Sequence, residues 1–149
     1  MYPSILVPTD GSEFSDKAVK EAARLAKELG SKLVLFYAAP RFHGPPLTEG
    51  FSVHTSPEEK GAAKDEMEAE AKQLLAYAAG NVNLSGLTIE QEFTVSNSPY
   101  EAIIKAAKKF QCALIVMASH GRRGMSAVLL GSETQKVLTH SSIPVLVVR

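Results

Sequence analysis

Two glycine-containing turns follow apolar runs, and each carries side chains able to handle an anion or a sugar. In "ASHGRRGMSAVLLGS" (118–132), the pure core run "CALIVM" gives way to glycines, His120 and the pair Arg122 and Arg123. Gly131 and Ser132 then open a helical segment. A strand, a glycine-containing loop and a helix start form the layout of a phosphate cradle. Glycine lets backbone approach an anion closely, and the free N–H groups of a helix start point at it with the macrodipole behind them. Neither GxxxxGK[ST] nor GxGxxG occurs there, so this is neither a P-loop nor the dinucleotide fingerprint. "SETQ" (132–135) reads equally as a capping box, in which Ser132 caps its own helix.

The first strand ends in "PTDG" (8–11), where Asp10 can accept hydrogen bonds from a sugar or base; an Asx-turn is the alternative use of that carboxylate. His120 can contact phosphate or act as a base, although a lone histidine in a turn more often does neither. Arg122 and Arg123 can clamp phosphate or stay solvated. His43 and His54 share a loop but lack the spacing of a metal site. No Ser–His–Asp or Cys–His set emerges. Cys112 is the single cysteine; it rules out an intramolecular disulfide and reads as a small buried thiol.

These turns need a scaffold. "SILVP" (4–8), "KLVLFYAA" (32–39) and "CALIVMA" (112–118) read as buried strands by their unbroken apolar character, and "IPVLVV" (143–148) as a last strand. "LTIEQEFTV" (87–95) instead alternates, with Leu87, Ile89, Phe93 and Val95 on one face and Thr88, Glu90, Glu92 and Thr94 on the other, so it is expected at a sheet edge. Helices are predicted over 12–30, with Phe14, Ala18, Ala22, Leu25 and Leu29 as the core stripe, over 58–80, from a capping box at "SPYE" (98–101), and over 132–140. Residues 40–57 hold four of the eight prolines and form a long, flexible loop. Strands alternating with helices imply a mainly parallel sheet covered on both faces, which binds ligands beyond the strand carboxyl ends where strand order reverses.

The 149 residues suit one domain, 1–149. Sixteen basic and sixteen acidic residues cancel, which argues against a broad nucleic-acid or membrane-surface footprint but not against a local basic pocket. No signal peptide or membrane-length apolar run is visible, so a cytoplasmic protein is expected. The last strand is apolar on both faces; as a sheet edge it would invite pairing with a second copy.

Together, "ILVPTDGSEFSDKAVKEA" (5–22), "LIVMASHG" (114–121), "GRRGMSAVLLGSETQKVL" (121–138) and "SSIPVLVVR" (141–149) make the whole chain resemble the universal stress protein family, in its nucleotide-binding branch. The resemblance implies a single-domain α/β sandwich of the adenine nucleotide alpha hydrolase type: five parallel strands in the order 3-2-1-4-5, flanked by four helices. It implies a homodimer through the last strand, Val145, Leu146, Val147 and Val148. The family's ATP motif is G-x2-G-x9-G-[ST]. Gly121, nine residues, then Gly131 and Ser132 match its second half, while Ala118 stands where the motif begins with glycine. By this similarity Pro8, Thr9 and Asp10 line the adenosine part of the pocket, Ala38 packs near the base, and Met117 and Ala118 flank the ribose. His120, Gly121, Gly131, Ser132, Glu133 and Thr134 surround the phosphates, largely through backbone N–H groups. The implied ligand is ATP, or AMP or ADP, with magnesium reaching the site only on the nucleotide. Without an assigned general base, or a magnesium ligand set beyond Asp10 and Ser132, a binding module is preferred to a slow ATPase. A nucleotide-free dimer acting through protein partners is the third reading.

Overall fold

The computed structural model describes residues 1–41, 57–121 and 129–149. His43, His54, most of the expected 40–57 loop, Arg122, Arg123 and Gly124 lie outside the described residues. The elements run β1 (Ser4–Pro8), α1 (Glu13–Leu29), β2 (Lys32–Ala39), α2 (Pro57–Gly80), β3 (Ile89–Val95), α3 (Pro99–Lys109), β4 (Leu114–Ala118), α4 (Ser132–His140) and β5 (Val145–Val148). All strand pairs are parallel, and the sheet order is β3-β2-β1-β4-β5. The order reverses between β1 and β4, so their carboxyl ends flank the crevice where such sheets bind ligands.

Strand alternation sorts the core into two layers. Ile5, Val7, Leu33, Leu35, Leu114, Val116 and Ala118 join the cluster that includes Ala18, Ala22 and Leu75, under α1 and α2. Leu6, Val34, Phe36, Ile115 and Met117 join Ala102, Ile103, Ala106 and Val137, under α3 and α4. Both faces are covered, which is why the central strands read as unbroken apolar runs.

Helix α1 buries Ala18 and Ala22 of the expected stripe, with Leu25 packed at the core's margin, but not the stripe's two ends. Ser15, Ala18, Val19, Ala22, Ala23 and Ala26 are buried, whereas Phe14 and Leu29 are exposed. The alanines let the helix lie close on β1 and β4, and the bulkier residues are displaced to its margin. Ser12 caps α1, accepting from the Ser15 N–H at 3.2 Å, and Gly30 ends it in the left-handed region at φ 66°.

The two edge strands differ in chemistry. On β3, Glu90 pairs with Lys32 at 2.7 Å and Glu92 with Lys109 at 3.6 Å. These half-exposed pairs contribute little stability, but they put charge along an edge. On β5, Val145, Val147 and Val148 are half-buried and Leu146 is 41% exposed. No helix among the described residues is long and apolar enough to cross a membrane.

Candidate functional site

The switch point has two walls. The first is the turn from β1 into α1. The Thr9 N–H donates to Phe36 O at 2.8 Å, carrying β1's pairing one residue past the strand. The buried Thr9 hydroxyl lies 3.1 Å from Ser15 Oγ and accepts from the Gly11 N–H at 3.3 Å. Asp10 Oδ1 accepts from the Ser12 N–H at 2.9 Å, which is the Asx-turn weighed from the sequence. Its Oδ2 reaches across the cleft: a Cβ built on Gly121 would stand 2.7 Å from it. Asp10 and Gly121, 111 positions apart in number, are thus brought face to face.

The second wall is the tip of β4 and the start of α4. Three successive residues of the tip hold three residues of the returning chain. Ala118 O accepts from Thr134 Oγ1 at 2.9 Å. Ser119 O accepts from the Gly131 N–H at 2.7 Å. His120 Nε2 bonds to Leu129 O, and its Nδ1 lies 2.9 Å from Ser119 Oγ. Gly131 suits this fit, since a Cβ there would make tight contacts with backbone, Ser119 O at 3.0 Å and His120 Cα at 3.3 Å.

Gly131 rather than Ser132 is the N-cap of α4, and it makes no side-chain cap hydrogen bond. The capping-box reading of "SETQ" is therefore corrected: Ser132 is already the first helical residue and is exposed. The Glu133 carboxylate is employed elsewhere, accepting from the Tyr100 N–H at 2.9 Å in the first turn of α3. Ser98 caps that helix without a side-chain hydrogen bond, so the "SPYE" box is not formed either; proline does occupy the start of the helix. The first-turn N–H groups of α4 sit beside the crevice with acidic Glu133 turned to α3, a geometry suited to an anion.

The remaining residues fall as follows. Pro8 ends β1 and is half-buried, as is Ala38 on β2, whose side chain packs against the α3/α4 layer. Met117 is buried in that same layer. Ala118 is buried in the opposite layer, at the end of β4, in register with Val148. Among described non-glycine residues only Gln111 has positive φ, so the alanine in place of the motif's glycine is unstrained, its methyl absorbed by the α1/α2 core. Thr134 is buried, holding Ala118 O. Among the described residues no group of three or more His, Cys, Asp or Glu side chains could hold a metal ion. Cys112 is buried against Ser4; burial pushes its thiol up, outweighing the Ser4 hydrogen bond, which keeps it protonated and unreactive.

Sequence reasoning missed three contributors. Ser12 and Ser15 organise the first wall. Phe14, assigned to the core stripe, instead sets its ring against His120, with centroids 5.5 Å apart. The available signal was the "S-x-x-S" of "GSEFS", a capping serine with a second hydroxyl one turn on. A cleft of about 730 Å³ opens from the first wall; its described lining includes Gly11, Tyr37, Ala39, Arg41, Glu70 and Tyr77. Tyr37 belongs to the α1/α2 side, opposite Ala38.

A five-stranded parallel sheet covered by helices on both faces, with Asp10 approaching Gly121 beside the glycine-opened start of α4 at its switch point, defines a single-domain α/β protein of the doubly wound class. The sequence model of the universal stress protein family matches residues 1–149, and the chain belongs to that family. A universal stress protein of Thermus aquaticus is 31% identical over the full length of both chains. Among solved structures, the Methanocaldococcus jannaschii protein MJ0577 superposes with a TM-score of 0.76 at 27% identity, covering 99% of this chain and 96% of its own. A universal stress protein solved in complex with cAMP gives 0.69 at 25% identity, covering 99% and 97%.

Proposed function

We propose that the chain is an adenine-nucleotide-binding module, a small cytoplasmic homodimer whose occupancy by ATP, or by AMP or ADP, is read by other proteins in a stress response. The observation that carries this reading is the start of α4: Gly131, without a side-chain cap, is held against Ser119 O beside the Asp10–Gly121 approach. There the backbone N–H groups of α4 and its dipole would meet the phosphates. Asp10, acceptor-only when ionised, would take a hydroxyl or amino hydrogen of the nucleoside. The relative that holds cAMP holds an adenine nucleotide, which favours the same ligand class here. Magnesium would arrive with the phosphates, with Asp10 and Ser132 offering oxygen ligands.

The test is to denature the purified protein, resolve the released nucleotides by ion exchange, and titrate the emptied protein with ATP, ADP and AMP in a calorimeter. Recovery of an adenine nucleotide with saturable heat is expected. An empty supernatant together with no heat from any of the three would overturn the reading. Recovery of ADP alone, with ATP turnover that a pocket substitution abolishes, would make the protein a slow ATPase instead.

For the dimer, β5 offers an edge without charged side chains at Val145, Leu146, Val147 and Val148, unlike β3. Leu146→Lys is expected to move the sedimentation coefficient to that of a monomer. A dimer that survives the change would place the interface elsewhere.

A further inference from the structure

We infer that Phe14 is a positioning residue for the start of α4: its ring fixes the His120 imidazole, and the imidazole fixes the chain that leads into the helix. Its effect on affinity, though not on the imidazole, rests on the nucleotide reading above.

Phe14 is the second residue of α1 and is 39% exposed, while the helix's buried face is formed by Ser15, Ala18, Val19 and Ala22. The core therefore does not account for an aromatic residue at this position. The ring instead lies against the imidazole of His120, at a centroid distance of 5.5 Å and an interplanar angle of 46°. That is within the range of favourable tilted aromatic pairs.

His120 is 9% exposed and both its ring nitrogens are engaged. Leu129 O can only accept, so Nε2 carries the proton and donates to it. In the neutral ring Nδ1 is then bare and accepts from the Ser119 hydroxyl at 2.9 Å. One tautomer and one ring orientation satisfy both bonds. Of the three ties between the β4 tip and the returning chain, the Gly131–Ser119 tie is backbone to backbone and the Thr134–Ala118 tie uses a short, buried, β-branched side chain. The His120–Leu129 tie alone depends on a ring that swings about two single bonds. Phe14 limits that swing, and because Phe14 stands one residue from Ser15 it ties this wall to the hydroxyl cluster of the other.

The variants are Phe14→Ala, Phe14→Leu and Phe14→Tyr. The first readout is the long-range proton–nitrogen correlation of the His120 ring in the nucleotide-free protein, identified by its loss in His120→Gln. Wild type and Phe14→Tyr are expected to show a single Nε2–H tautomer, and Phe14→Ala an averaged ring with a faster-exchanging Nε2 proton. The second readout is ATP affinity, expected to fall about three- to tenfold in Phe14→Ala and to return in Phe14→Tyr. Should Phe14→Ala not fold, Phe14→Leu, which keeps apolar bulk without the ring, decides by the same two measurements. Unchanged ring signals would overturn the role. So would a loosened ring with unchanged affinity in a protein whose wild type binds ATP. If the wild type binds no adenine nucleotide, the nucleotide reading fails and the ring signals alone decide the positioning role.

Discussion

The two strand-to-helix junctions at the switch point look alike in outline and differ in how they treat the helix they introduce. The β1–α1 junction satisfies its own helix: Ser12 caps the Ser15 N–H at 3.2 Å, and Asp10 holds the Ser12 N–H at 2.9 Å. The β4–α4 junction leaves its helix to a glycine that supplies no side-chain cap, and spends its hydrogen bonds on holding that glycine against the strand tip. Both are N-termini with the same dipole, yet the N-cap residue of the second, Gly131, supplies no side-chain cap, whereas Ser12 of the first does. On the proposed reading, the first is a foundation and the second is where the phosphates would bind.

The sharpest way to break this contrast is at Gly131. A Cβ there meets backbone, Ser119 O at 3.0 Å and His120 Cα at 3.3 Å, so Gly131→Val must push the start of α4 off the β4 tip. Loss of adenine-nucleotide affinity by at least about a hundredfold is expected, with the sedimentation coefficient unchanged from wild type, since the added side chain meets no residue of β5 directly. Native affinity by calorimetry would mean that the helix start is not where the phosphates sit.

A smaller effect is expected at Gly121. Its added methyl meets the tip of a side chain rather than backbone: Asp10 Oδ2, at 2.7 Å. A carboxylate can rotate away, at the expense of its bond to the Ser12 N–H, so Gly121→Ala should weaken binding by about fivefold. The coupling is the informative part. If the two residues act on one another, Gly121→Ala adds little once Asp10→Ala is present; strict additivity in the double-mutant cycle would show that they contact the ligand independently.

Much of this was legible in the sequence because the relevant signals are local. Unbroken apolar runs and one alternating run located the five strands and put β3 at an edge, and glycine and proline marked the turns. The parity of β4 would also have placed Ala118: with Leu114 and Val116 it points into the α1/α2 layer, so its methyl lies in the core rather than in the cradle. What was not legible depends on partners far away in the chain. "SETQ" and "SPYE" carry the letters of capping boxes, but the reciprocating side chains are engaged otherwise: Gln135 donates to Leu130 O at 2.7 Å and Glu101 accepts from the Tyr100 hydroxyl at 3.0 Å, while Glu133 accepts from the Tyr100 N–H, 33 residues back, a partner no local pattern can report. Phe14 and Leu29 fit a hydrophobic stripe by spacing, but close packing of a helix on two strands selects the small residues Ala18, Ala22 and Ala26 for contact. The register of an amphipathic helix is fixed by what it packs against as well as by its own composition.

The contrast between the junctions also predicts a substitution that should leave binding alone. Ser12 Oγ caps α1 and touches no residue of the second wall in the described contacts. Ser12→Ala removes one capping hydrogen bond from a helix that lies across β1, β2 and β4, and such a loss costs about 1 kcal/mol. For a domain of this size that is a fall in melting temperature of about 3 °C. Affinity for the nucleotide should stay within about twofold of wild type, because the Asp10 Oδ2 approach to Gly121 does not pass through the Ser12 hydroxyl. The two junctions would then separate cleanly, stability responding at one and affinity at the other. A Ser12→Ala protein that melts normally but binds poorly would reverse the assignment: the β1–α1 turn would be a ligand contact, and its hydroxyls, rather than the helix start of α4, would be the groups the phosphates find.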